Sequence, residues 1–261
     1  MSEHWYTRDG KPSHTRTTKT GTTRATTLRD ARLERLLPSV SSILNEAAAP
    51  ELDRWKANKI IEACYDSGDP LAVAPTLSEY AAIIRERADK EMEQAQIFGT
   101  AFHKAMEGEV PIGMELLVEA THKALYGLKA NGLEVHEQEV AVVNRALGYA
   151  GTTDCAFSEG RALGILDYKT CKSEKDEPVP FKRNHCAQIA AYIMAKYNPG
   201  TLVWWGDEKV GLNIYVSKTE PGRVDVVRYT NQQLEESWHW FNACRLLWRL
   251  RRDYDPREVT S

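Results

Sequence analysis

No cysteines are spaced as CxxC in this sequence, and the five present (Cys64, Cys155, Cys171, Cys186 and Cys244) are odd in number and scattered. That pattern argues against a disulfide scaffold and a structural zinc site, and for free thiols in a reducing, cytoplasmic compartment. Long apolar runs are also missing: the longest fall well short of the roughly 20 residues that span a bilayer. The opening MSEHWYTRDGK is polar throughout, so neither a membrane association nor a signal peptide is expected. An excess of basic charge is lacking as well, since 34 Lys and Arg stand against 37 Asp and Glu. A nucleic-acid partner would therefore have to be met by local basic patches. The absence of GxxxxGK[ST] argues against a built-in ATP motor.

What remains is an ordinary globular composition over 261 residues, enough for one substantial core and a smaller helical annex. Residues 1–36 are rich in Thr, Arg, Lys and His and are expected to form a flexible arm or a small hairpin, with Trp5, Tyr6 and Asp9-Gly10 as hairpin material. A solvated tail is the first expectation; a basic arm carrying Arg16, Lys19 and Arg24 along a phosphate backbone is the functional alternative. Residues 37–132 read as helical. A Ser cap precedes Val40, Ile43 and Leu44, a break follows at Pro50, and Thr76 or Ser78 is placed to cap a helix running to Gln96. Gly99 is expected to separate that helix from the next, which carries Phe102, His103 and Met106. A further helix covers about Gly113 to Asn131.

Residues 133–261 alternate. A strand is expected from Glu139 to Val143, then a hairpin whose arms hold Asp154 and Asp167, then a helix from about His185 to Tyr197. Strands follow at Leu202–Trp205, Val210–Val216 and Arg223–Tyr229, and a last amphipathic helix runs from an Asn231 cap to Arg252. The fold class is α/β (α+β): a central mixed β-sheet flanked by helices, with a helical N-terminal annex.

Four short motifs stand in order. Gly99-x-x-x-His103 is followed by Glu107, on one helix face with His103. Gly151-x-x-Asp154 lies on the first arm of the hairpin. Asp167-x-Lys169-Thr170 lies on the second, where a period of two puts the carboxylate and the ammonium on one face. Leu163, Ile165 and Leu166 make that strand core-facing, and a charged pair beside it is costly without a metal or a partner. Gln188-x-x-x-Tyr192 sets an amide and a phenol on one helix face. Each motif alone has a bland account: a packed histidine, a strand-end ion pair, a helix with a polar side.

Taken together and in this order, the four resemble the PD-(D/E)XK nuclease superfamily, and more narrowly its RecB-like exonuclease branch. That branch includes phage recombination exonucleases and the mitochondrial genome-maintenance exonuclease. The leader Leu37-Pro38-Ser39-Val40-Ser41-Ser42-Ile43-Leu44, with Trp55, extends the likeness. The resemblance implies a restriction-endonuclease-like core and a metal-dependent deoxyribonuclease acting in recombination, repair or phage DNA processing. Asp154 and Asp167 would ligate Mg²⁺ or Mn²⁺, one ion or two, together with His103 and the backbone carbonyl of Tyr168. Lys169 would position or activate the attacking water, and Gln188 and Tyr192 would orient the reacting groups. Glu107 and Glu139 are second-tier candidates that act on the metal through water. His103 must be neutral to ligate, so activity is expected to fall in acid. Lys172, Lys182 and Arg183, with Lys175 nearby, would meet DNA. The four-cysteine pattern of several relatives is missing, so no iron–sulfur cluster is expected. A strand-annealing or other recombination protein is the partner that relatives suggest. A nuclease-fold module that binds without cutting, and a structure-specific endonuclease, are the alternative readings.

Overall fold

The computed structural model describes residues 4–47, 50–173, 175–204 and 208–257. The chain divides into two compact units, one formed by Met1–Ala47 with Glu119–Ser261 and the other by Ala48–Val118.

The first unit opens with β1 (Trp5–Tyr6), β2 (Thr15–Thr17) and β3 (Thr23–Ala25), followed by α1 (Leu28–Glu34), β4 (Leu37–Pro38) and α2 (Val40–Leu44). This N-terminal stretch is not the solvated tail expected from its composition. Trp5 is fully buried, β1 pairs antiparallel with β4, and β2 pairs with β3 as a hairpin. The Asp9-Gly10 turn does form: Gly10 N–H donates to the Thr7 carbonyl at 3.0 Å, and Tyr6 bridges to Pro12. Two aromatic side chains outweigh a polar neighbourhood, because each removes a large apolar area from water. Thr27 caps α1 in a capping box with Asp30, and Ser39 caps α2 by accepting from Ser42 N–H.

The second unit holds α3 (Pro50–Ser67), α4 (Pro70–Val73) and α5 (Leu77–Met106). Asp69 caps α4 with Pro70 at its first turn, and Thr76 caps α5. Ala63, Ile84 and Ala88 form the small core between α3 and α5, with Cys64 and Tyr80 against it. Gly99 does not separate two helices, as its residue type suggested; α5 runs straight through it. A single glycine costs a helix only about 1 kcal/mol, which the many good helix formers of α5 outweigh. Helix α6 (Glu115–Ala130) begins in this unit and ends in the other. The helical annex expected over 37–132 is therefore shorter as a compact unit, since Leu37–Ala47 and the chain from Glu119 belong with the sheet.

That sheet has five strands: β5 (Leu133–Asn144), β6 (Tyr149–Glu159), β7 (Ala162–Cys171), β8 (Lys209–Ser217) and β9 (Val224–Tyr229), hydrogen-bonded in chain order. β7 and β8 are parallel, joined through α7 (Arg183–Tyr197), and the other neighbours are antiparallel. The sheet is mixed and flanked by helices, as the sequence predicts. β7 is central, which explains its near-continuous apolar run. Helix α7 packs on the sheet and against α8 (Asn231–Arg252). Cys186, Ala187, Ile189, Ala190, Ile193 and Met194 of α7 are completely buried.

Two expectations are corrected here. Leu202–Trp204 is not a strand; Trp205 lies outside the described residues. The segment spends its polar groups on α8 instead of a strand partner, the Leu202 carbonyl accepting from Trp238 Nε1 at 2.8 Å and Trp204 Nε1 donating to Asn231 Oδ1 at 2.7 Å. Asn231 is thereby occupied, and Thr230 caps α8 through a reciprocal box with Gln233.

Candidate functional site

The antiparallel ladder between β6 and β7 ends at Cys155↔Leu166, and Asp154 and Asp167 are the next residues of their strands just beyond it. There the backbone turns from ladder to side chain: Tyr168 N–H donates to Asp154 Oδ2 at 2.5 Å. Both carboxylates are buried, at 8% and 3% exposure. Lys169 lies on the same face as Asp167, and its Nζ meets Asp167 Oδ2 at 2.5 Å. Asp167 stands in the middle of β7. The sheet continues beyond it because β8 follows β7 in register from Leu163 to Cys171.

Glu139 faces the same place from β5. Its neighbours pair as Gln138↔Cys155 and Val140↔Thr153, so it lies opposite Asp154. Its φ is +48°, in the left-handed region that a residue with a side chain enters only at a cost. Carboxylate oxygens of Glu139 and Asp154 lie within 4.8 Å of each other. Like charges so close, one of them buried, repel unless a cation sits among them. Carboxylate oxygens are hard donors of the kind Mg²⁺ and Mn²⁺ take. The oxygens of Glu139 and Asp154 are thus donors whose chemistry suits a divalent cation, while Asp167 Oδ2 is taken up by Lys169 and Asn213.

Gln188 and Tyr192 of α7 meet as their spacing predicts: Gln188 Nε2 donates to the Tyr192 hydroxyl at 2.9 Å. Burial pushes the Tyr192 phenol well above its ordinary range, and the charge of Asp167 adds to the effect. Its hydroxyl stays protonated at neutral pH. Gly151 of β6 makes room for this ring, since a Cβ there would stand 2.6 Å from Tyr192 Cε1. The glycine of the Gly151-x-x-Asp154 motif is thus explained by a close approach and not by a turn. His103 sits in the last turn of α5 in the other unit, edge-on to Phe102, and Glu107 is that helix's C-cap.

Of the cationic residues, Lys172 and Lys182 line one hollow of ≈ 220 Å³ with Ser173 and Pro178–Pro180. The Lys182 ammonium also lies 5.9 Å from the Tyr215 ring centroid. Arg183 lies over the Phe181 and Trp240 rings, 4.0 Å from Glu236. The N-terminal arginines are engaged within the protein: Arg16 pairs with Glu34, and Arg24 forms a two-pronged pair with Asp30. The cluster at the end of α8 is engaged too, with Arg251 and Arg252 on Glu46 and Arg245 buried against the Leu147 carbonyl. A basic arm along DNA is not what these contacts support.

Sequence reasoning missed several residues around Asp167. Asn213 of β8 donates to the Asp167 carbonyl at 2.9 Å and to its Oδ2 at 3.1 Å, and the Tyr229 hydroxyl donates to Asn213 Oδ1 at 2.6 Å. His185 Nδ1 is 2.7 Å from the Tyr215 hydroxyl. Burial, with Lys169 and Lys182 adding to it, holds that imidazole well below the usual histidine range. Tyr6 reaches Thr152 Oγ1 at 3.1 Å. A lone Asn inside VGLNIYVS was the one signal on offer, because an amide in an apolar strand needs a partner.

No helix among the described residues is long and apolar enough to cross a membrane. No family model matches the chain, and no curated protein matches it. Among solved structures the chain is similar to SSO0001, known from a crystal structure, at 15% identity over 73% of this chain and 84% of that one, with a TM-score of 0.30. A likeness at that score equates neither fold nor function.

Proposed function

We propose that the protein is a metal-dependent deoxyribonuclease, an exonuclease by the resemblance of its motifs. The observation that carries this reading is the 2.5 Å pairing of Lys169 with buried Asp167, beside an Asp154 anchored on the Tyr168 amide. Phosphodiester hydrolysis needs an anionic, self-repelling substrate neutralised and a nucleophile aligned. Mg²⁺ or Mn²⁺ bound at the carboxylates would supply the first and a more acidic water for the second.

The chain's own groups do the rest. Asp167 fixes the Lys169 ammonium, so that its charge is placed before substrate arrives. A preplaced cation stabilises the extra charge of a five-coordinate phosphorus more than the ground state. Asp154, its Oδ2 held by a backbone amide, has a fixed rotamer. Tyr192, kept protonated by burial, and Gln188 act as a paired donor on the α7 side. His103 enters this reading through its motif. Lys172 and Lys182 offer point charges to the phosphates that flank the scissile one.

The test is digestion of end-labelled linear duplex, single-stranded and closed circular DNA with Mg²⁺ or Mn²⁺. EDTA and the Lys169→Ala protein serve as controls. Degradation of the linear substrates alone, lost in both controls, is the expected result, and the label gives polarity. Cutting of circles would make the enzyme an endonuclease. Binding without any cleavage would leave a non-cutting module. His103→Ala is expected to lower cleavage by at least about 100-fold if the histidine is a ligand.

A further inference from the structure

The carboxylate of Asp167 is not held by Lys169 alone. We infer that Asn213 is a positioning residue for the metal site, acting through Asp167, an inference that rests on the nuclease reading above. Asn213 is completely buried, and its register on β8 puts it beside Asp167. One amide nitrogen serves two oxygens of the same residue, the carbonyl at 2.9 Å and Oδ2 at 3.1 Å. Fixing main chain and side chain together removes the freedom of the carboxylate to rotate about its own backbone. The amide cannot flip, because its Oδ1 accepts from the Tyr229 hydroxyl at 2.6 Å. Further along β8, Tyr215 meets His185 at the start of α7. Buried hydrogen bonds therefore run from Tyr229 of β9 through Asn213 of β8 to the carboxylate of Asp167.

A hydrophobic residue would fill the Asn213 position more cheaply, since a buried amide must recover the cost of its desolvation. Its presence there is accounted for by the work of orientation. A carboxylate that already holds its geometry loses less conformational freedom when a cation binds, and partners that orient ligands in this way carry much of a site's affinity. Lys169 depends on the same hold, because its Nζ shares Asp167 Oδ2 with the Asn213 amide.

The experiment measures Mn²⁺ affinity of the full chain by calorimetry and by the loss of the free-ion electron paramagnetic resonance signal. It compares the natural protein with Asn213→Leu, which keeps the branching of the side chain, and Tyr229→Phe, which frees the amide without touching Asp167. Thermal melting is followed in parallel. Expected is a loss of Mn²⁺ affinity of about 10–100-fold for Asn213→Leu, with melting lowered, and about 3–10-fold for Tyr229→Phe, with melting little changed. Cleavage recovered at high Mn²⁺ in Tyr229→Phe would support positioning over a merely structural role. Mn²⁺ affinities equal to the natural protein in both variants would overturn the inference while leaving the nuclease reading standing. If Asn213→Leu does not fold, an unchanged affinity in Tyr229→Phe overturns it alone. A natural protein that binds Mn²⁺ yet cuts no DNA ends the nuclease reading, and the same affinities still decide the role of Asn213. A natural protein that binds no Mn²⁺ overturns both.

Discussion

Gly151 and Glu139 show how far individual residues of this site are chosen against local comfort. Gly151→Ala adds a methyl that collides with the buried Tyr192 ring. The expected cost is about 1–3 kcal/mol of stability, read from denaturant unfolding, together with reduced cleavage as Tyr192 and Gln188 shift. Glu139 holds a left-handed backbone conformation that suits glycine better. Glu139→Gly should therefore raise the unfolding free energy by roughly 1 kcal/mol while weakening Mn²⁺ binding, a stability gain at the expense of function. Equal or improved Mn²⁺ affinity in that variant would remove Glu139 from the site. The pair Asp167 and Lys169 was legible in the sequence because a strand's period of two is a local rule. Asp154 and the Gln188–Tyr192 pair were legible for the same reason, each within its own element. Asn213, Tyr229 and Tyr6 were not, because they reach the site through strand neighbours that only the folded register creates.

At the scale of elements, strands with alternating or continuous apolar character and helices with good caps were readable, while Leu202–Trp204 and the N-terminal stretch were misjudged. In both, long-range bonds decided the outcome: indole and carbonyl groups to α8 in one case, Trp5 burial in the other. The N-terminal stretch has a pH dependence that follows from its histidines. His4 and His14 stack at 4.5 Å, and His14 Nδ1 accepts from Trp5 N–H at 3.1 Å. Burial lowers both from 6.5, and the charge of His4 adds to the lowering at His14; His185 on α7 is lowered likewise. Well above pH 6.5 folded and unfolded chains are both neutral at these sites, so stability there is full. As pH falls below 6.5 the unfolded chain takes protons that the folded one refuses, and stability declines until the folded sites titrate. Thermal melting should drop between about pH 7 and 5, and the drop should shrink in His14→Gln. Amide exchange over residues 4–14 should quicken across the same interval, since a protonated Nδ1 no longer accepts from Trp5.

For the whole molecule, the decisive contact is between the first described strand and the last helix. Trp5, Trp248 and Tyr254 form one aromatic cluster with ring centroids 5.9 to 6.3 Å apart. The Tyr254 hydroxyl donates to the Leu36 carbonyl at 2.7 Å, and Arg8 donates to the Pro256 carbonyl at 2.8 Å. Trp5→Ala should cost about 3–5 kcal/mol, and chemical denaturation should show the first unit, not β1 alone, losing stability. Local loosening of residues 4–25 with an unchanged main transition would contradict that.

This cluster also sets an order of events during synthesis. Trp248 follows Trp5 by 243 residues, and at about 5–20 residues per second the interval between them is on the order of tens of seconds. Through that interval the nascent chain carries an unburied tryptophan and a β1–β4 pair with nothing beneath it. Asp167 waits in the same way for Asn213 and Tyr229, which are made after it. The growing polypeptide thus has its charged site residues in hand well before the scaffold that aims them. Its first unit reaches a native arrangement only once Trp248 has been made, and translational pauses between Trp5 and Trp248 would prolong the exposure of that tryptophan.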